Sequence, residues 1–130
     1  ICDSQGIHVE PDMLRMILQI KGVDKAVLIS DSFVSDEPTP EKFKDITDLQ
    51  FDANGGLCGS KLTLDMACRN LLKHTDCGIT QAFLMASRNP ARVIKLDHEV
   101  GTIEENKKAN LVFIDDMFEV KKVMLEGVFR

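Results

Sequence analysis

Tryptophan and tyrosine are absent from this 130-residue chain, and seven phenylalanines supply all of its aromatic surface. A base-stacking platform for single-stranded nucleic acid has little to be built from. Positive charge is also short. Sixteen Lys and Arg stand against 21 Asp and Glu, a formal net charge of −5, which argues against binding driven by phosphate neutralisation. No nucleic-acid partner is expected. Long apolar runs are missing too: Ala26-Val27-Leu28-Ile29 is far too short to cross a bilayer. No charged stretch followed by an apolar one opens the chain. A soluble, cytoplasmic chain without a membrane partner is therefore expected. The chain begins Ile1-Cys2-Asp3, without Met, and its first residues already read as structured, so a segment of a longer polypeptide is expected rather than a processed small protein.

Metal signatures are equally scarce. Cys2, Cys58, Cys68 and Cys77 form no C-x-x-C, and His8, His74 and His98 form no H-x-H or H-E-x-x-H, so local spacing provides no complete metal site. The four cysteines are expected as free thiols. His74 reads as a cation at a helix end, and His98 as a turn residue away from any site.

What is present is the composition of an ordinary globular domain, 44% hydrophobic and 28% charged, with enough chain to bury a core. Ile1 to Val9 reads as a strand. Pro11 opens a helix in which Leu14, Ile17 and Leu18 recur at helical spacing, broadened by Met13, Met16 and Ile20, and Gly22 ends it. Ala26 to Ser30 reads as a buried parallel strand, so Ile1–Ser30 is β-α-β. Residues 31–45 form a loop. Residues 46–51 alternate as a strand, followed by the turn Asn54-Gly55-Gly56 and a tight loop, Leu57-Cys58-Gly59-Ser60. Leu64, Ala67, Cys68, Leu71 and Leu72 trace a helix face, with Asp65 and Arg69 at pairing distance. Thr80 caps a helix to about Arg88, and Asn89-Pro90 restarts another through Leu96. Residues 110–114, 120–125 and 128–130 are strands around a turn at Glu126-Gly127.

Two strand ends carry chemistry. Asp31 follows an apolar strand, where parallel α/β architectures collect functional groups, and a carboxylate there serves as general base or metal ligand. A turn-capping aspartate is the plainer alternative. His8 ends the preceding strand, which places it at the same edge, about 4.8 Å or two such spacings away. A solvated loop histidine is its alternative. The Leu57–Ser60 segment presents main-chain N–H groups past a glycine, or is a connecting turn.

Gln5-Gly6-Ile7-His8-Val9, Ile29-Ser30-Asp31, Leu57-Cys58-Gly59-Ser60-Lys61-Leu62-Thr63-Leu64, Met85 to Arg92, Gly101-Thr102-Ile103 and Lys108 to Val112 occur in this order. The pattern resembles the C-terminal part of the N-acetylglucosamine-6-phosphate deacetylases of the amidohydrolase superfamily. The resemblance implies an α/β fold: the last two strands and closing helices of a (β/α)8 barrel over residues 1–100, then strands of a small β-sandwich domain over 101–130. It implies a metal-dependent hydrolase that releases acetate from N-acetylglucosamine 6-phosphate. Asp31 would be the catalytic aspartate and a metal ligand, taking a proton from metal-held water and delivering it to the departing amine. Gln5, Gly6, Ile7 and His8 would line the substrate pocket, with Leu57, Cys58 and Gly59 closing over the sugar.

The cofactor implied is a divalent metal, Zn²⁺ or similar. Its other ligands would lie upstream, and the basic residue at the sugar phosphate would come from a neighbouring subunit, so the segment alone is expected to be inactive and to bind no metal tightly. The partners implied are an amino-sugar phosphate and further copies of the chain in a homo-oligomer. Gln5 stands where the family usually has Asp, and Ser32-Phe33 where it has Ala-Met. Those departures leave open a deaminase or another N-acyl sugar hydrolase. A non-catalytic, self-associating module is the reading from a different class, since two parallel strands leave an unpaired edge.

Overall fold

The computed structural model describes all 130 residues, Ile1–Arg130. Helix α1 spans Pro11–Lys21 with Pro at its first turn, and Gly22 closes it in the expected positive-φ conformation. Only Leu14 and Leu18 of its apolar face pack on the core. Met13, Met16, Ile17 and Ile20 are exposed, so the broad face read from the sequence meets just one partner surface here.

Neither predicted parallel strand forms. Ile1–Val9 is a chain of turns and bends, and Ala26–Ser30 is extended but unpaired. A strand exists only through its hydrogen-bonded neighbour, and these two runs do not lie against each other in a ladder. The second instead meets residues far downstream: Leu28 N–H donates to Met85 O at 3.0 Å, and Ser32 makes a parallel bridge to Ser60. After a single 3₁₀ turn at Glu41–Phe43, strand β1 (Leu49–Phe51) pairs antiparallel with strand β2 (Leu57–Ser60). The Leu57–Ser60 segment is thus the second strand of a hairpin rather than a loop. Asp52 builds the turn, accepting from the N–H groups of Asn54 and Gly56 at 2.9 and 2.8 Å, the local chemistry expected of an Asx turn.

Helix α2 (Leu64–His74) buries Ala67, Cys68, Asn70, Leu71 and His74, so the periodicity identified the face correctly. Asp65 and Arg69 form no ion pair; the salt bridges lie elsewhere. Helix α3 (Ile79–Phe83) is capped by Gly78, whose N–H donates to Gln81 Oε1 at 2.8 Å, and Thr80 lies inside the helix rather than at its cap. The following turn, Leu84–Arg88, is a π turn in which Asn89 N–H reaches back to Leu84 O, and it leads straight into α4 (Asn89–Val93). Asn89-Pro90 therefore continues the helical run instead of restarting it. Pro90 has no N–H and would crowd the carbonyl four residues back, and a widened turn is one way to relieve both.

The chain ends in a three-stranded antiparallel sheet of β3 (Leu111–Ile114), β4 (Val120–Leu125) and β5 (Val128–Phe129), in that spatial order. The core gathers Cys2, Leu28, Cys68, Leu71, Ala82, Met85 and Phe118. All four cysteines are free. Burial pushes the Cys2 and Cys68 thiols up to about 11, so both behave as small core hydrophobes. No helix is long and apolar enough to cross a membrane.

Candidate functional site

The site is assembled on the first eight residues, which are held without secondary structure of their own. Asp3 is fully buried and serves as their hub. Its Oδ1 accepts from the N–H groups of Gln5 and Ile7 at 3.1 and 2.9 Å, and its Oδ2 accepts from His8 N–H at 2.8 Å. Gly6 stands inside this loop at φ 71°, where a Cβ would lie 2.6 Å from Pro11 Cδ, so only glycine lets the loop turn back onto α1. A second buried carboxylate fixes the loop from outside: Asp48 accepts from Ser4 N–H at 2.6 Å and Ser4 Oγ at 2.9 Å. Helix α2 supplies three further anchors. Asn70 Nδ2 donates to Cys2 O at 3.0 Å, Lys73 Nζ to Ser4 O at 2.9 Å, and the His74 ring meets Asp3 O at 3.1 Å. His74 thus supports the site from behind, which corrects its reading as a simple helix-end cation away from it.

His8 sits between two oxygens. Its Nδ1 lies 3.1 Å from Asp3 Oδ2 and its Nε2 lies 2.9 Å from Gly59 O. Both atoms opposite the ring are acceptors, so only a ring protonated on both nitrogens donates to both. The next residue, Ser60, bonds the segment of the other candidate. Ser60 N–H donates to Asp31 O at 3.0 Å, Phe33 N–H donates to Ser60 O at 3.3 Å, and Ser60 Oγ donates to Ser30 O at 2.5 Å. At φ 107°, a Cβ on Gly59 would fall 2.9 Å from Asp31 O and 2.9 Å from the Phe33 ring. The three motif segments around His8, Asp31 and Gly59 therefore converge on one place. They do so through the hairpin, not as adjacent parallel strand ends as the sequence suggested.

Asp31 itself is exposed, with φ 50°, a region that Asp enters more readily than most residues yet still at some cost. Partial burial first, and then the negative charges of Asp52, Asp31 and Glu37, push the Cys58 thiol up, which marks the mouth as acidic and disfavours the Cys58 thiolate. Of the remaining predicted residues, Gln5, Ile7 and Leu57 are exposed, while Cys58 and Gly59 are half-buried. Gln5 brings no charge, and the carboxylate beside His8 comes from Asp3, two residues earlier. Burial alone would raise the Asp3 carboxyl, but hydrogen bonds from the Ile7, His8 and Gln5 N–H groups and from the His8 ring hold it below the usual range. Asp3, Asp48 and Asn70 were missed by sequence reasoning. An acidic residue inside an apolar opening segment was the available signal for Asp3; the other two have none.

No three His, Cys, Asp or Glu side chains of this chain stand close enough to hold a metal ion. With Asp31 as one ligand at most, the donor set does not make a metal centre of the usual three protein ligands. A separate concavity of about 560 Å³ beside α4 holds none of the predicted residues. Its Arg88 is already paired with Asp24, and its Lys107 with Glu104 at 3.1 Å.

Residues 7–129 match the amidohydrolase family. The chain belongs to that family. This amidohydrolase segment is 36% identical over 132 residues to the N-acetylglucosamine-6-phosphate deacetylase of Vibrio furnissii, covering 95% of the chain and 33% of that protein. It is 36% identical over 75 residues to a putative N-acetylgalactosamine-6-phosphate deacetylase of Escherichia coli K12, covering 58% of the chain and 45% of that protein. Its fold superposes on the crystal structure of N-acetylglucosamine-6-phosphate deacetylase from Pasteurella multocida with a TM-score of 0.84 at 25% identity, covering 98% of the chain and 35% of that structure. The amidohydrolase segment thus spans about a third of the length of these two N-acetylglucosamine-6-phosphate deacetylases.

Proposed function

We propose that this chain is the C-terminal segment of a deacetylase that hydrolyses N-acetylglucosamine 6-phosphate to glucosamine 6-phosphate and acetate. The observation that carries the reading is the convergence of the His8, Asp31 and Gly59-Ser60 segments through one ring-to-carbonyl contact, His8 Nε2 to Gly59 O at 2.9 Å, and one main-chain hydrogen bond, Ser60 N–H to Asp31 O at 3.0 Å. The named relatives support the reaction class. Residues 1–100 would contribute the last strands and closing helices of the barrel, and 101–130 strands of a small β domain.

Asp31 acts as general base on the water that attacks the acetyl carbonyl, then passes that proton to the amine nitrogen as the C–N bond breaks. His8, with Gln5, Gly6 and Ile7, contacts the substrate, and Leu57, Cys58 and Gly59 border the sugar. A divalent ion such as Zn²⁺ would supply the activation of that water in the whole enzyme, where Asp31 would be one of the residues holding it and the others would come from outside this segment. Gln5 and the Phe33 ring packed on Gly59 favour a second reading on the substrate: an epimeric or otherwise altered N-acylated amino-sugar phosphate.

The test is acetate release from a panel of N-acyl hexosamine 6-phosphates by the full-length enzyme carrying this segment. Asp31→Asn should lower turnover at least about 100-fold, the scale of a lost general base. Near-unchanged turnover in that variant would return Asp31 to a turn-capping role.

A further inference from the structure

We infer that Asp3 is a positioning residue for His8, fixing which ring nitrogen faces the substrate side of the site. The inference rests on the proposed function for its catalytic consequence, but not for its geometry. An aspartate that served only to close the loop would spend its oxygens on main-chain donors. Asp3 has three of those, from Gln5, Ile7 and His8, and a fourth contact at 3.1 Å to the His8 ring. Asp3 and the Gly59 carbonyl both accept and neither donates, so a doubly protonated ring donates to both; in a neutral ring the ionised carboxylate is the stronger acceptor and keeps the proton on Nδ1. Nε2 is left as the nitrogen turned toward the Gly59 carbonyl, beside the segment that carries Asp31.

The carboxylate is itself immobilised. Its residue is fully buried, the His74 ring meets its carbonyl, and the neighbouring carbonyls of Cys2 and Ser4 are held by Asn70 and Lys73 of α2. Ring orientation therefore follows from helix packing and not from a flexible side chain, as preorganised sites require. Asp3 touches no substrate in this scheme. It acts through His8, as a hydrogen-bonded carboxylate orients an imidazole in other catalytic pairs.

Nitrogen NMR of the histidine-labelled 130-residue chain reads the proton directly, with His8→Gln identifying the resonances among three histidines. The expected result is a protonated Nδ1 in the unaltered chain and a shift of the proton to Nε2 in Asp3→Asn. A ring protonated on Nε2 alone in the unaltered chain overturns the inference, even where Asp3→Asn fails to fold. In the full-length enzyme, Asp3→Asn should lower kcat about tenfold or more while KM stays within about twofold. In the His8→Gln background the same change should cost less than about twofold, because the two residues act as one unit. Fully additive losses would overturn the inference by giving Asp3 a role independent of His8. If no amino-sugar phosphate is hydrolysed while Nδ1 carries the proton, the proposed function fails and the assignment of Asp3 stands.

Discussion

An alanine at position 59 would set its Cβ 2.9 Å from both the Asp31 carbonyl oxygen and the Phe33 ring, on a backbone at φ 107°. Something must shift, and the groups in the way are a main chain and a packed ring. Gly59→Ala should lower stability by about 1–3 kcal/mol, the cost of one strained residue, seen as a lower urea midpoint. An unchanged midpoint would mean that the pinch between β2 and Asp31 is not maintained in solution. Asp3 carries a different liability. Its carboxyl titrates below the ordinary 3.8 in the folded chain, because its hydrogen-bond donors outweigh its burial. The folded state therefore binds fewer protons than the unfolded state between the two values. The stabilisation is complete above 3.8 and lost as pH falls through the folded value. The stability gap between the chain and Asp3→Asn should be full at neutral pH and narrow as pH falls below 3.8; a gap that stays constant on acidification would contradict the linkage.

At the scale of elements, the periodic helices were legible and the strands only partly so. The buried face of α2 follows from spacing, whereas only Leu14 and Leu18 of the expected α1 face pack on the core, and the final three strands fall near their expected residues. Ala26–Ser30 shows what spacing cannot supply. Its apolar run is real, but its hydrogen bonds go to Met85 and its continuation to Ser60, partners more than twenty residues away. Asn89 is the other instructive case. Read locally it is a helix cap, whereas its buried amide donates to Val23 O and Ala26 O at 2.7 Å each, tying α4 to the turn before the apolar run. Asn89→Ala should cost about 1–3 kcal/mol, since it removes a buried amide that donates to two part-buried carbonyls. Thermal or urea unfolding would measure this, and a loss well under 0.5 kcal/mol on the same order-of-magnitude scale would show that water replaces the amide readily.

For the whole molecule, surface is the telling quantity. The chain exposes 8590 Å², against about 6,900 Å² expected for a compact monomer of its mass. Large apolar side chains are part of that surface: Ile20, Val34, Val93 and Ile103 all face solvent. Exposed apolar surface and unpaired extended runs both favour association. The isolated 130-residue chain should therefore scatter light as a dimer or larger and release no acetate from N-acetylglucosamine 6-phosphate. A stable monomer would contradict the expectation from surface, and measurable turnover by this chain alone would contradict the expectation that it is inactive by itself.

The amino-acid sequence by itself determined α1 and α2, whose periodicity, with the Pro11 and Gly22 signals of α1, is local, and the ordered motifs around His8, Asp31 and Leu57–Ser60. It also determined the family, because those motifs keep their order along the chain. Tertiary structure alone decided how they meet. The hairpin carries Gly59 between His8 and Asp31, and α2 brings Asn70, Lys73 and His74 behind the opening loop. Asp3 becomes the hub of that loop only once burial removes competing water from its oxygens. Such contacts join residues up to 71 positions apart. Local propensity holds no record of them, because the free energy that selects them arises only when the segments pack.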